Sequence, residues 1–198
     1  MIFHRPSLSL ARFTRSEFAQ ISGMPEEQII AWQNDCHIEA CSRDGASYKV
    51  SEVAEGMFRS DLARFGLSPD ESSDLGFEGA KHILRLVLIN HPESCSVWGP
   101  SDKVEQLRLV HQSSDSLIRY LFGTDDESTL LVVANGHVPA FCTADAAKLD
   151  LPHYEGAIVL NLEGYARKLV AASTRRILRF KYKCGPSVKA RRASLAIS

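Results

Sequence analysis

Thr14-Arg-Ser-Glu-Phe-Ala-Gln-Ile-Ser-Gly-Met-Pro-Glu-Glu-Gln-Ile-Ile-Ala-Trp-Gln-Asn34 is the stretch that decides how this chain is read. It opens on a capping box. The Thr14 hydroxyl can accept from the Glu17 amide while the Glu17 carboxylate reaches back to Thr14, which satisfies two of the donors orphaned at a helix start. Phe18 and Ile21 then fall on one helical face, and Gly23 supplies the stop. Pro25 suits the first turn of a second helix, and Glu26 and Glu27 favour its positive end. Ile29 and Trp32 give that helix its inner face. The link from Ser22 to Met24 is three residues long and contains a glycine. Two short helices joined in this way predict a helix-turn-helix.

Working outward, Met1 to Ala11 shows no clear period and is expected to be a flexible lead. Downstream, Asp44-Gly45 is a hairpin signal between the short arms of Ile38 to Val50, which predicts a two-stranded wing. Ser51 is the expected N-cap of a third helix ending at Gly66. Leu67-Ser-Pro-Asp70 caps a fourth, which His91-Pro92 terminates. Beyond it, Ser101 to Phe122 reads as helical. Thr129 to Ala134 and Val138 to Cys142 read as an antiparallel pair about Asn135-Gly136, and Ala157 to Leu160 as a third strand of the same sheet. Leu162 to Ala172 has the period of an amphipathic helix.

Residues 13–53 resemble the MerR family of winged helix-turn-helix regulators. Phe13-Thr14-Arg15-Ser16-Glu17-Phe18-Ala19 is similar to the family's opening, Gly23-Met24 falls at its turn, and Ile29 and Trp32 occupy its Leu and second Tyr positions. Gly45 to Val53 resembles the end of its wing, with Tyr48-Lys49 in place of a Tyr-Arg pair. The chain departs from the pattern in three places. Ile30 stands where a typical member carries Arg, Cys36 stands where it carries Gly, and no long coiled-coil helix follows the fourth helix. The resemblance implies an α+β chain that binds double-stranded DNA. The expected layout is a winged helix-turn-helix over residues 12–68, a helical connector over 69–100, an α+β unit over 101–184 and a basic tail over 185–198.

Recognition helices read base edges with amides and guanidinium groups, so Gln28, Gln33 and Asn34 are the base-contacting candidates. Arg15, Arg43 and Lys49 are the phosphate-contacting candidates, Arg43 at the wing turn and Lys49 in its second arm. The competing view is that all six are solvated surface groups. Glu26-Glu27 at the start of the second helix repels phosphates, which keeps open a protein-interaction module with a degenerate helix-turn-helix. A phage or mobile-element factor for excision or packaging is a further alternative. A homodimer, and a protein partner for the C-terminal unit, are the other expected associations.

Charge is distributed unevenly. Residues 1–68 carry seven Lys/Arg and nine Asp/Glu, residues 69–164 six and fifteen, and residues 165–198 ten and none; the sums are −2, −9 and +10, giving the net −1. An acidic middle with a basic tail points to a tail that meets a polyanion or folds back on the chain's own acidic face. Arg179-Phe-Lys-Tyr-Lys183 alternates cations with aromatics; in a strand this puts the cations on one face. That face is either a nucleic-acid surface or the charged outside of an edge strand.

The five cysteines are odd in number and widely spaced, which argues against a secreted disulfide framework. Cys36, His37 and Cys41 lack a second pair at zinc-site spacing, so no metal or other cofactor is expected. No phosphate-binding loop, dinucleotide fingerprint, paired-His zinc motif or nucleophile elbow occurs, and the expectation is a non-enzyme. No apolar run reaches membrane-spanning length, so no membrane contact and a cytoplasmic location are expected.

Overall fold

The computed structural model describes residues 7–41, 47–99, 127–134, 137–150 and 154–181. Arg43, the Asp44-Gly45 and Asn135-Gly136 turns, the segment Ser101 to Phe122 and the tail 185–198 lie outside them. The fold is α+β. In chain order the elements are β1 (Ser7–Leu10), β2 (Arg12–Thr14), α1 (Arg15–Ser22), α2 (Glu26–Asn34), β3 (Ser47–Lys49), α3 (Val50–Arg64), α4 (Ser73–Asn90), β4 (Cys95–Trp98), β5 (Leu130–Ala134), β6 (Ala140–Cys142), α5 (Ala144–Asp150), β7 (Ala157–Asn161), α6 (Leu162–Ala172) and β8 (Leu178–Lys181).

The local signals around Thr14 act as the sequence predicts. The Glu17 amide donates to Thr14 Oγ1 (3.2 Å) and the Thr14 amide donates to Glu17 Oε2 (2.7 Å), closing the capping box. Gly23 ends α1 at φ 77°, with its amide on the Ala19 carbonyl. That left-handed conformation is open to glycine at little cost. Phe18, Ile21, Ile29 and Trp32 are buried. Full burial of a side chain such as Phe18 contributes roughly 1.5–3 kcal/mol.

The opening segment differs from its expectation. Ser7–Leu10 is a strand, paired antiparallel with β8 (Leu8 opposite Phe180, Leu10 opposite Leu178). Leu178 and Phe180 offer two fully buried apolar side chains, and Leu8 and Leu10 pack on that core. The short period-2 pattern Ser7-Leu-Ser-Leu10 is thus a half-buried strand.

The wing differs as well. β3 pairs antiparallel with β2, with Phe13 opposite Tyr48 and Arg12 opposite Lys49; of the described residues 38–41, Cys41 alone bonds to it, through its amide on the Ser47 carbonyl. The segment meant for the first arm is instead used to close α2: the Ile38 amide reaches the Trp32 carbonyl, and Ile38 is buried. Helix α3 starts at Val50 without a side-chain cap from Ser51, because the Val50 amide donates to the Ala11 carbonyl (2.9 Å). The Ser68–Glu71 capping box forms, with reciprocal bonds of 2.8 and 3.3 Å, but it opens only a turn, and α4 begins at Ser73.

Helix α4 is more than a connector. Ala80, Ile83, Leu84, Leu86, Val87 and Leu88 belong to one apolar core that also holds Phe18, Phe58, Leu131, Leu169 and Phe180. Close approach to α3 requires small residues. A Cβ on Gly79 would fall 2.6 Å from the Phe58 ring, and one on Gly76 2.4 Å from Arg59. The strands beyond follow the expected pattern: β5 is the middle of a sheet ordered β6-β5-β7, antiparallel on both sides. Helix α6 is capped by Asn161 and tied to α3 by the Tyr165 hydroxyl, which donates to Asp61 Oδ2 (2.6 Å). Burial first, then Asp61, holds that phenol well above its usual titration range. In the third sheet β8 is central, flanked by β1 and by a parallel β4. The Arg179-Lys181 stretch is therefore not an edge strand.

Candidate nucleic-acid interface

Three of the expected contact residues meet around β3. Arg15 is the first residue of α1, and its Nε donates to the Tyr48 hydroxyl (3.4 Å). That hydroxyl in turn donates to Gln33 Oε1 (2.7 Å), linking α1, β3 and α2 through one polar chain. Tyr48 itself is fully buried and packs edge-on against Phe18, with centroids 5.2 Å apart. Gln33 is thus held in place by its side-chain carbonyl oxygen.

Lys49 closes β3 and is exposed. Its cross-strand partner is Arg12, also exposed, a residue absent from the expected set. Directly opposed residues project from the same face, with Cβ atoms about 5 Å apart, and like charges so placed destabilise a ladder. Neither cation forms an ion pair among the described residues. The sequence signal for Arg12 is the alternation Arg12-Phe-Thr14, with Phe13 inward and its two neighbours outward.

Helix α2 presents a different surface. Glu26, Glu27, Ile30, Ala31 and Asn34 are exposed, Gln28 is half-buried, and Ile29 and Trp32 face the core. Asn34 is the one fully exposed member of the three base-reading candidates. The position of α2 is set at its end. Asp35 caps it, Cys36 takes φ 60°, the Cys36 amide donates to Gln33 O (3.2 Å) and the His37 amide to Trp32 O (2.8 Å). This is the paired bonding of a Schellman motif, completed by the edge-on contact of Trp32 with His37. The buried Arg59 then anchors the loop: Nη1 donates to His37 O (2.7 Å) and to Glu55 Oε1 (2.9 Å), Nη2 donates to Pro69 O (2.9 Å), and the guanidinium lies 4.8 Å over Trp32.

On the other flank, Arg175 donates to the Arg12 carbonyl (2.8 Å), pairs with Glu17 and stacks over Phe13. The segment before β8 is thereby fixed against the start of α1. Asp70 Oδ1 lies 3.9 Å from His37 Nδ1, and among the described residues no group of three or more His, Cys, Asp or Glu is placed to hold a metal. His82 stacks on Phe141 and His137 packs edge-on to Tyr154, so these two imidazoles sit in separate aromatic contacts. Among the described residues no helix is long and apolar enough to cross a membrane.

No family model matches this chain, and no curated protein matches it.

Proposed function

We propose that the chain is a DNA-binding regulator of the MerR-like type, gripping duplex phosphates through the β2–β3 ladder and presenting α2 to the groove. The observation that carries this reading is the grouping of Arg12, Lys49 and Arg15 on β2, β3 and the first turn of α1. Opposed cations cost stability in a free ladder and gain it when a polyanion lies across them. Arg43, four residues before β3 in sequence, adds a further cation. Asn34 and Gln33 supply the amides that read bases, with Gln28 beside them. Apolar packing of α1 on α3, with α2 packed on α1, supplies the rigid support that such contacts need.

Duplex titration by fluorescence anisotropy across a salt series tests this. Lys49→Ala and Arg12→Ala should each weaken binding to specific and random duplex alike, and each should make the log–log salt slope shallower by about 0.9. Asn34→Ala should instead narrow the gap between specific and random sequences. A lost base contact costs about 1–3 kcal/mol of discrimination.

The exposed face of α2 favours a second reading. Two carboxylates beside Ile30 and Ala31 suit a protein partner better than a phosphate backbone. Anisotropy that does not respond to duplex at low salt, together with unchanged behaviour of Lys49→Ala, would select that interaction module.

A further inference from the structure

The sheet ordered β1-β8-β4 has one face on the core and one in solvent. The register places Leu8, Leu10, Cys95 and Val97 beside Leu178 and Phe180 on the inner face. The outer face follows from the same alternation. Arg179 and Lys181 run along the central strand, Ser7 and Ser9 oppose them on one side, and Ser96 and Trp98 on the other. Trp98 is 64% exposed and sits directly across from Lys181. No carboxylate occurs on any of the three strands.

An exposed indole is a large apolar surface with no structural return, and it stands here beside two cations separated by one residue. Small serine side chains leave the platform flat on both sides of the charges. We propose that this outer face binds single-stranded nucleic acid, with a base stacked on Trp98 and neighbouring phosphates on Arg179 and Lys181. Stacking is tolerant of sequence, because every base has a π-face, and the cations supply backbone attraction. Charge complementarity selects this occupant over the chain's own C-terminal end. Residues 182–198 carry Lys183, Lys189, Arg191 and Arg192 and no Asp or Glu, so they are repelled by Arg179 and Lys181 and would add to the attraction for a polyanion. The inference does not rest on the duplex reading, since it uses none of the residues of the β2–β3 ladder or of α2.

The test is titration of the full chain with a short fluorescein-labelled oligothymidine at low and high salt, followed by anisotropy and by intrinsic emission. The chain has two tryptophans. Trp32 is buried under Arg59, so quenching by the oligonucleotide reports on Trp98. Trp98→Ala should abolish the quenching and weaken binding by about 5- to 140-fold, the equivalent of one lost stacked base. Trp98→Phe should retain most of the affinity. Replacing Arg179 and Lys181 together by Ala should make the salt slope shallower by about 1.4, or about 0.7 per phosphate on a single strand. Circular dichroism of the Trp98 variants should match the parent, because the side chain is exposed. Binding that is equal in Trp98→Ala and the parent overturns the proposal, as does absence of quenching at low salt. Quenching of Trp98 by phosphatidylserine vesicles but not by the oligonucleotide also overturns it, in favour of a lipid contact. Quenching of Trp98 by oligothymidine reads this surface alone, whereas the effects of Lys49→Ala and Arg12→Ala on duplex affinity read the other, so failure of the duplex reading and failure of this one are separable.

Discussion

Cys36→Gly should stabilise the protein. Cys36 is the residue after the α2 cap and takes φ 60°, the only non-glycine residue at positive φ among those described. Its thiol is exposed and forms no disulfide, so nothing in the packing compensates for the conformation. An L-residue in the left-handed region costs roughly 1–2 kcal/mol relative to glycine. Against that gain, glycine raises the conformational entropy of the unfolded chain by about 0.4–1 kcal/mol. The net expectation is a stabilisation of about 0.5–1 kcal/mol. For a chain of this size that amounts to about 1–4 °C in Tm.

Urea and thermal unfolding under reducing conditions, followed by circular dichroism, measure the effect. Cys36→Ala separates conformation from thiol chemistry: alanine keeps the Cβ, so it should leave the midpoint near that of the parent. A midpoint for Cys36→Gly at or below the parent's, or an equal gain in Cys36→Ala, refutes the argument. In that case the Schellman bonds from Cys36 to Gln33 and from His37 to Trp32 hold the turn without strain.

Two further predictions concern the support behind α2. Burial, then the neighbouring Glu55 carboxylate, raise the Glu52 pKa above its ordinary value of 4.5. The folded state therefore binds more protons than the unfolded state above that value, and stability falls as pH rises from about 4.5 toward the raised pKa. Glu52→Gln should flatten this limb and raise stability at neutral pH while leaving it unchanged at the acid end; urea midpoints at several pH values check it. Arg59→Met leaves the His37 and Pro69 carbonyls and the Glu55 carboxylate without their shared donor. It should cost about 3–5 kcal/mol in urea unfolding, and Arg59→Lys should not rescue it, because one ammonium cannot span the three acceptors in a planar fork.

How much was legible in the sequence depended on whether a signal was local. Thr14-Glu17, Gly23, Pro25 and His91-Pro92 each act on a backbone group within a few residues, and the helices they bound are where the pattern put them. The same holds for the sheet around β5, whose strands are short apolar runs bounded by turn residues. What could not be read was pairing over long separations. Leu8 opposite Phe180, and Arg175 on the Arg12 carbonyl, join the two ends of the chain, and no period or cap encodes a partner more than a hundred and sixty residues away. The partner of β3 was hidden for a related reason. Asp44-Gly45 signals a turn, and the Cys41 amide does reach the Ser47 carbonyl (2.6 Å), but a turn does not say which strand β3 will choose. Phe13, directly opposite the buried Tyr48, gives it a buried aromatic neighbour that no turn signal encodes. Among the candidate contacts, Arg15, Gln33 and Lys49 do gather at one place. Gln28 is half-buried, and Gln33 has its oxygen taken by Tyr48, because side-chain hydrogen bonds across elements carry no sequence signature.

The pairing of the chain ends changes what the charge distribution means. In sequence the cations divide into a wing, with Arg12, Arg15 and Lys49, and a basic end beyond residue 165. In the fold, Ala11 alone separates β1, which lies on β8, from β2, which lies on β3, and Arg175 fastens the approach to β8 onto Arg12. The described part of the basic end, through Lys181, is thus built into the sheet next to the β2–β3 ladder, while the acidic excess belongs to the stretch between. Removing residues 175–198 cannot serve as a deletion of charge: it takes away the central strand of a sheet, the buried Leu178 and Phe180, and the Arg175 contact with Glu17. Loss of binding after such a truncation would report unfolding as readily as lost contacts. Only exposed side chains on the intact fold, Lys49 and Arg12 on one surface and Trp98, Arg179 and Lys181 on the other, can assign a nucleic-acid partner to either.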